Sequence, residues 1–311
     1  MYYHAPLKSY FPHYVRNTGR VSNMPSTRTR YRSRRRSYAR SRRSRTSYRP
    51  RRTRYRRTTR TYGRRRLLNV TSKKKQDNMI NVATAPDGSN QAIRPYTMDG
   101  GGGTVFLWCA TARDRESNAG NPTADSVRTS QVCFMRGVKE HVRLTTNNST
   151  SWAWRRICFT GKGIFQSAGT TIDSLETSAG WVRPLTNVVT TGYYQAIIGS
   201  LFKGTQGIDW DSVSTAKTDA TNYKIWYDRT RVINSGSGGV MRDYKMWFPM
   251  NKNLVYDDDE QGEDESPARY STFGRPGMGD YYIIDFFIPN VIATANTLTF
   301  GTEATLYWHE K

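Results

Sequence analysis

Short apolar runs and polar connections follow one another through residues 104–311. Eight segments of this region are rich in aromatic and β-branched residues, several alternate apolar with polar positions, and Gly, Asn, Asp or Ser separates them, which is typical of β-strands. The predicted strands cover residues 104–111, 130–138, 140–146, 151–160, 222–233, 243–250, 280–288 and 297–310. A single short helix is predicted within residues 191–202.

This succession of short strands predicts an all-β fold. Unequal connections, including long loops at 161–180 and 203–221, suit a double-sheet jelly roll better than an even barrel. We therefore predict a single jelly roll, an eight-stranded antiparallel β-sandwich, over residues 104–311. Residues 76–103 end in a run of glycines and are predicted to be a flexible Gly-rich connector.

Positive charge is concentrated in the first quarter of the chain. The protein has 311 residues, 48 Lys+Arg against 25 Asp+Glu and a formal net charge of +23. Residues 1–75 hold 26 of the bases and no acid, so the rest of the chain carries 22 bases and all 25 acids. Such a segment cannot bury enough apolar surface to offset its ordering entropy, which predicts a disordered arm over residues 1–75. The partner expected for it is a dense polyanion, most commonly nucleic acid.

Arginine and tyrosine dominate the centre of the arm. Twenty arginines lie in residues 28–66, and the guanidinium fork matches two phosphate oxygens. Tyrosine rings placed among them can stack on exposed bases, which favours single strands over duplexes. The predicted nucleic-acid-binding residues of the arm are Arg28, Arg30, Tyr31, Arg32, Arg34, Arg35, Arg36, Tyr38, Arg40, Arg42, Arg43, Arg45, Tyr48, Arg49, Arg51, Arg52, Arg54, Tyr55, Arg56, Arg57, Arg60, Tyr62, Arg64, Arg65 and Arg66.

A second use of the arm is nuclear import. Basic runs of 5 to 8 residues are enough for an import signal, so most of this arm would be surplus to that role alone. The candidate import residues are Arg64, Arg65, Arg66, Lys73, Lys74 and Lys75. Host nuclear import receptors are therefore expected partners. A solvated tail without a packaging role remains an alternative.

The string WAWRR at residues 152–156 admits two interpretations. Alternation along a strand puts Trp152 and Trp154 on one sheet face. That face is either part of the core, with arginines at the strand end, or an inner surface where the indoles and Arg155 or Arg156 contact a nucleotide. The second interpretation adds Trp152, Trp154, Arg155 and Arg156 to the candidate nucleic-acid-binding residues.

Catalytic and metal-binding patterns are weak. FTGKG at 159–163 lacks the spacing of a phosphate loop, and no HExxH or GxSxG motif occurs, so we expect no enzyme activity and no cofactor. Cys109, Cys133, Cys158 and His141 have irregular gaps, which favours small buried cysteines over a zinc site. An odd cysteine count argues against a disulfide framework and for a reducing compartment. We identify no signal peptide and no membrane span.

Seven acids cluster around one glycine in DDDEQGEDE at residues 257–265. The alternating ligands of an EF-hand are missing, so a solvated loop is favoured over a calcium site. Packaged nucleic acid would repel this loop. We hypothesise that it faces outward or meets a basic patch on a neighbouring subunit.

Three strings in the body, behind an Arg/Tyr/Ser-rich arm, carry a family resemblance. FMRGVKEHVRL at 134–144, WAWRRICF at 152–159 and YYIIDFFIPN at 281–290 resemble the capsid proteins of genomoviruses of the gemycircularvirus type and, more distantly, geminivirus coat proteins. The likeness covers nearly the whole chain. The Cys/His cluster proposed for geminivirus coat proteins has no good match here.

This resemblance implies a capsid subunit of jelly-roll fold. About 60 copies would close a T=1 icosahedral shell around a circular single-stranded DNA genome, in hosts that include fungi. Its expected locations are the virion and, during assembly, the host nucleus. The charge is sufficient, because about 60 arms supply about 1,560 positive charges for phosphates. A protamine-like or chaperone-type packaging protein that forms no shell is the alternative.

Overall fold

The computed structural model describes residues 63–115, 124–163 and 172–311, without the side chains of residues 64, 65 and 264. The predicted disordered arm therefore lies outside the described residues up to residue 62. The described chain forms two helices and thirteen strands. They are α1 (Arg64–Thr71), β1 (Lys73–Thr84), β2 (Tyr96–Gly100), β3 (Thr104–Cys109), β4 (Val132–Thr146), β5 (Trp152–Gly161), β6 (Leu175–Thr177), β7 (Gly180–Thr186), α2 (Tyr193–Leu201), β8 (Lys224–Ile233), β9 (Val240–Val255), β10 (Asp259–Gln261), β11 (Asp264–Ser266), β12 (Asp280–Pro289) and β13 (Ala293–Glu310).

The all-β prediction is confirmed, and the short helix predicted within residues 191–202 is α2. A seven-stranded sheet, which we name the large sheet, has the order β6-β7-β1-β13-β4-β9, with β2 also pairing with β13. A four-stranded sheet, the small sheet, has the order β3-β12-β5-β8. Among the residues that the structure describes, neither helix is long and apolar enough to cross a bilayer.

Eight strands of the two sheets pair in a nested way. Counted in chain order among β2, β3, β4, β5, β8, β9, β12 and β13, the first pairs with the last, the second with the seventh, the third with the sixth and the fourth with the fifth. All four pairings are antiparallel. The chain thus folds like one long hairpin wound over itself.

The main core lies between the two sheets. Alternation along β4 buries Cys133, Val138 and Leu144, whereas Lys139 and Arg143 on the other face are exposed. These side chains and those of β13 and β9 pack against one face of the small sheet, where Trp108 and Ile283 are buried. Burial of an apolar side chain of this size is worth about 1.5–3 kcal/mol.

The other face of the small sheet is covered as well. Ile197, Ile198 and Leu201 of α2 pack there against Leu107 and Ile157. Because both faces of this sheet are buried, all six residues of β3 are buried, and so are nearly all of β12. The continuous apolar runs TVFLWC and YYIIDFFI reflect this double coverage.

The prediction of a flexible connector at residues 76–103 is wrong, and the folded body begins before residue 104. Residues 73–80 of β1 pair with residues 303–310 of β13, and residues 81–84 pair in parallel with β7. Within β1, Met79 and Val82 are buried. The polar composition of this segment gave no sign of a strand. Its role is to pair with the backbone N–H and C=O groups along one edge of β13.

Two predicted strands, 130–138 and 140–146, form one strand, β4, interrupted by a bulge. The pairing skips Arg136, so Met135 and Gly137 continue the register with β13 and β9. Gly137 has φ +150°, and a Cβ atom there would lie 2.9 Å from Cζ2 of Trp247. The bulge therefore turns Arg136 outward and requires glycine beside it.

A carboxyl group is buried beneath the small sheet without full compensation. Asp173 accepts a 2.8 Å hydrogen bond from Tyr270 at Oδ1, while its Oδ2 has no hydrogen-bond partner among the described residues. Burial raises the pKa of Asp173 to about 7, and Tyr270 and Arg269 only partly oppose this. The native state therefore holds a proton that the unfolded chain releases at lower pH.

Replacing Asp173 by Asn should stabilise the protein at pH 8 relative to the wild type. The folded pKa of about 7 exceeds the unfolded value of 3.8, so wild-type stability falls as pH rises between these values. The loss is about 4 kcal/mol at most, and an amide does not titrate. Urea unfolding at pH 4.5 and pH 8 measures it. Asp257→Asn, at an exposed acid, is the control; a pH dependence unchanged by Asp173→Asn would contradict the assignment.

Candidate nucleic-acid interface

The predicted nucleic-acid-binding and nuclear-import residues fall into three groups with different outcomes. The arginines and tyrosines from Arg28 to Tyr62 lie outside the described residues, so their role stays a prediction. The backbone of Arg64 and Arg65 and the exposed Arg66 belong to α1. The four residues of the WAWRR string and the lysines of β1 lie in the sheets.

The lysine run at residues 73–75 is part of β1 and not of a free arm. Lys73 and Lys74 are exposed, whereas Lys75 is buried. The ammonium group of Lys75 lies 3.6 Å from Glu310 and also donates to the backbone carbonyl of Val127. As a nuclear import residue Lys75 is therefore a wrong prediction, because a receptor could reach it only after β1 left the large sheet.

Trp152, Trp154, Arg155 and Arg156 were candidate DNA contacts, and the structure buries all four. Trp152, Trp154 and Arg156 have no exposed surface, and Arg155 retains 5%. They therefore do not contact a nucleotide in the folded chain. The core interpretation of the indoles is confirmed, but the arginines lie within β5 and not at its end.

Arg156 belongs to a buried charge network between the sheets. It donates to Asp285 from Nε (2.6 Å) and Nη2 (2.8 Å) and pairs with Glu140. Arg183 completes the network by pairing with both carboxylates. Two cations thus balance two anions, and Trp154 adds a 2.7 Å hydrogen bond from Nε1 to Asp285.

The two arginines of this network keep the Asp285 carboxyl ionised although it is buried. Burial opposes the charged form of Asp285, but Arg156 and Arg183 nevertheless lower the pKa of that carboxyl below its usual value. The guanidinium of Arg156 also lies 5.0 Å from the ring centre of Trp154, a cation–π distance. Since each charge has a partner, the network is structural and offers no free cation to a phosphate.

Arg155 points to the opposite face of the small sheet. It forms a two-pronged ion pair with Asp228, at 2.9 and 2.7 Å, and donates to the carbonyl of Val213. Its guanidinium lies 5.1 Å from the ring centre of Phe202. Arg155 therefore fixes the loop after α2 against β5 and β8.

The acidic run at 257–265 is only partly a solvated loop. Asp258 is buried in an ion pair with Arg128, which donates to it at 2.6 and 2.9 Å. The following residues form the hairpin of β10 and β11, whose described side chains are exposed. Glu265 pairs with Arg115. The run thus has one structural acid and an exposed remainder; the outward-facing arrangement stays a hypothesis.

The cysteines are free and buried. Burial raises the pKa of all three thiols, so they are protonated at neutral pH. Within the described ranges no group of three or more His, Cys, Asp or Glu side chains is arranged to hold a metal ion.

The described residues bring together a basic cleft that the sequence did not predict. It lies on the outer face of the large sheet, has a volume of about 600 Å³, and crosses β1, β13, β4 and β9. Its lining combines cationic and aromatic side chains with one acid, Asp125. We name it the basic cleft and define it by Lys74, Arg136, Lys139, Trp247, Tyr307 and His309.

Two aromatic rings form one wall of the basic cleft. Trp247 is 48% exposed, and its ring centre lies 5.8 Å from that of Tyr307 in an edge-to-face arrangement. Between them lies Gly137, whose missing side chain lets the indole approach the backbone. A signal for this arrangement exists in the sequence: Tyr244, Met246, Phe248 and Met250 alternate, and Trp247 falls on the opposite face with Lys245.

Positive charge is concentrated around these two rings in the basic cleft. Lys74 and Lys139 are exposed, and Arg136 projects from the bulge of β4 and donates a 2.6 Å hydrogen bond to Asn251. Burial, and then the charges of Arg136 and Lys74, lower the pKa of His309. The potential at His309 is therefore positive.

Comparison of the whole chain with protein-family models and with curated proteins finds no match. The fold and the sites above thus stand on the residues themselves.

Proposed function

We propose that this chain is a viral capsid subunit of the genomovirus type. Its body is a jelly roll that tiles into a closed shell, and its Arg-rich arm neutralises and condenses circular single-stranded DNA inside. About 60 copies would form a T=1 shell. The proposal includes assembly in the host nucleus and a final location in the virion.

The nested pairing of eight strands supports the jelly-roll assignment. Winding one long hairpin into two facing sheets gives the strand orders β2-β13-β4-β9 and β3-β12-β5-β8, and both are present. Double-sheet jelly rolls of this kind build viral capsids and also lectin domains. The fold alone therefore does not select the function.

The observation that carries the proposal is that one chain combines this β-sheet body with a strongly basic N-terminal segment. Residues 1–62 hold 20 bases and no acid, whereas residues 63–311 hold 28 bases and 25 acids. Several arginines of the body form ion pairs with carboxylates of the same body, as Arg113, Arg128, Arg155 and Arg156 do. The division into a phosphate-binding segment and a nearly neutral body is what packaging within a shell requires.

Electron microscopy of the purified full chain tests the proposal. We expect closed particles of one diameter that contain nucleic acid, and extraction should yield DNA sensitive to a single-strand-specific nuclease and resistant to exonuclease. A high-salt wash of dissociated protein should release the DNA, because single-strand binding weakens by about 0.7 log units per phosphate contact for each tenfold rise in salt. Irregular DNA aggregates, or monomers at high concentration with bound oligonucleotide, would favour the protamine-like alternative.

A further inference from the structure

We propose that the basic cleft is a second, structured binding site for single-stranded nucleic acid, separate from the arm. Trp247 and Tyr307 would stack on an unpaired base, and Lys74, Arg136 and Lys139 would hold the flanking phosphates. This inference rests on the proposed function, because it supplies a fixed point on the body where the packaged strand is held.

The aromatic wall is the first argument. Burying a large aromatic ring stabilises a folded chain, so such rings are seldom left exposed on a sheet face. Trp247 nevertheless keeps 48% of its surface exposed beside Tyr307. The half-exposed indole packs by its remaining surface over Gly137, so its position is fixed before any ligand arrives. Stacking of a base on such a ring is worth about 1–3 kcal/mol and does not depend on base identity.

The charge balance is the second argument. Lys74, Arg136 and Lys139 face the cleft without a carboxylate within ion-pair distance among the described residues, in contrast to the paired arginines of the core. Asp125 is the only acid in the lining, and Lys75, which also lines the cleft, is paired with Glu310. With His309 neutral, Lys74, Arg136, Lys139 and Asp125 therefore leave a net charge of about +2, which attracts phosphate groups.

Size and shape are the third argument. A volume of about 600 Å³ in an open cleft admits a base with its sugar and leaves the strand free to continue at both ends. Duplex DNA keeps its bases paired and stacked, so it cannot present one to Trp247. The cleft should therefore distinguish single strands from duplexes more strongly than the arginines of the arm, which bind phosphates common to both.

Photo-cross-linking with the full chain tests this site. The probe is an oligo(dT) carrying one 5-iodouracil, which couples to aromatic side chains that it stacks on, and mass spectrometry maps the coupled peptide. We expect coupling at Trp247 or Tyr307, loss of that coupling in Trp247→Ala, and retention in Trp247→Phe. At a salt concentration that suppresses arm binding, Trp247→Ala should weaken oligonucleotide binding by about 5- to 160-fold.

Phe273→Ala is the matched control, because it removes a ring that is 63% exposed outside the basic cleft, and it should leave coupling unchanged. Coupling of a duplex probe to Trp247 equal to that of the single strand would overturn the stacking mechanism. Particles that contain single-stranded DNA but couple only through the arm would overturn the site while the proposed function stood. Loss of assembly in Trp247→Ala without any cleft coupling would instead identify this face as a contact between subunits.

Discussion

Replacing Arg156 by methionine should destabilise the body by about 3–5 kcal/mol. Methionine fills much of the volume but removes the cation that pairs with both Glu140 and Asp285. Arg183 alone would then face two carboxylates with no exposed surface, and an uncompensated charge between two apolar sheet faces is expensive. Urea unfolding followed by far-ultraviolet circular dichroism measures the change.

Two further variants separate charge from packing. Arg143→Met removes an arginine of an exposed ion pair with Asp243 and should destabilise the protein far less, because water screens exposed ion pairs. Arg156→Met combined with Glu140→Gln restores neutrality and should recover part of the loss. If Arg156→Met destabilised the protein no more than Arg143→Met does, the buried network would not contribute to stability as the geometry implies.

The strands of the body were predictable where they bury apolar side chains. The runs that became β3, β5 and β12 are so rich in aromatic and branched residues that no helix pattern competes. β1 was missed because its first eight residues are KKKQDNMI, which carry no apolar alternation. Its conformation is set by β13, almost 230 residues away in the chain, whose edge it covers.

The two arginines of the WAWRR string were predicted to contact nucleic acid, but both are buried in ion pairs. Arginine is rarely buried without a partner, so a surface role for Arg155 and Arg156 was reasonable from the string alone. The partners Asp228 and Asp285 are 73 and 129 residues away in sequence. Only the pairing of β5 with β8 and β12 brings them within hydrogen-bond distance.

The basic cleft needed the register of four strands. Lys74 pairs with His309, Tyr307 with Gly137, and Lys139 with Trp247, so strands distant in sequence supply neighbouring side chains. The sequence did contain the phase of Trp247 relative to the buried residues of β9. The bulge at Arg136 could not be predicted from the sequence. It depends on Gly137, and the need for glycine there becomes clear only from the indole of Trp247 that packs against it.

Deleting residues 1–62 should abolish DNA packaging and leave the body folded. The deletion lowers the net charge from +23 to +3, and it removes no residue of any described helix or strand. We expect particles or subunits without nucleic acid, measured by absorbance at 260 and 280 nm and by nuclease-typed extraction. An arm of the same length in which the 17 arginines from Arg28 to Arg60 become glutamine is the control for charge and should behave like the deletion.

A longer deletion, of residues 1–84, should fail for a different reason. It removes β1, uncovers the edge of β13, and leaves the buried Glu310 and Arg113 without their partners Lys75 and Asp77. Each uncompensated buried charge costs several kcal/mol, so this variant should be insoluble or unfolded by circular dichroism. The boundary between the two outcomes should lie near Lys73, where β1 begins. Genome retained by the 1–62 deletion would refute the role of the arm, and a stable body after the 1–84 deletion would refute the role of β1.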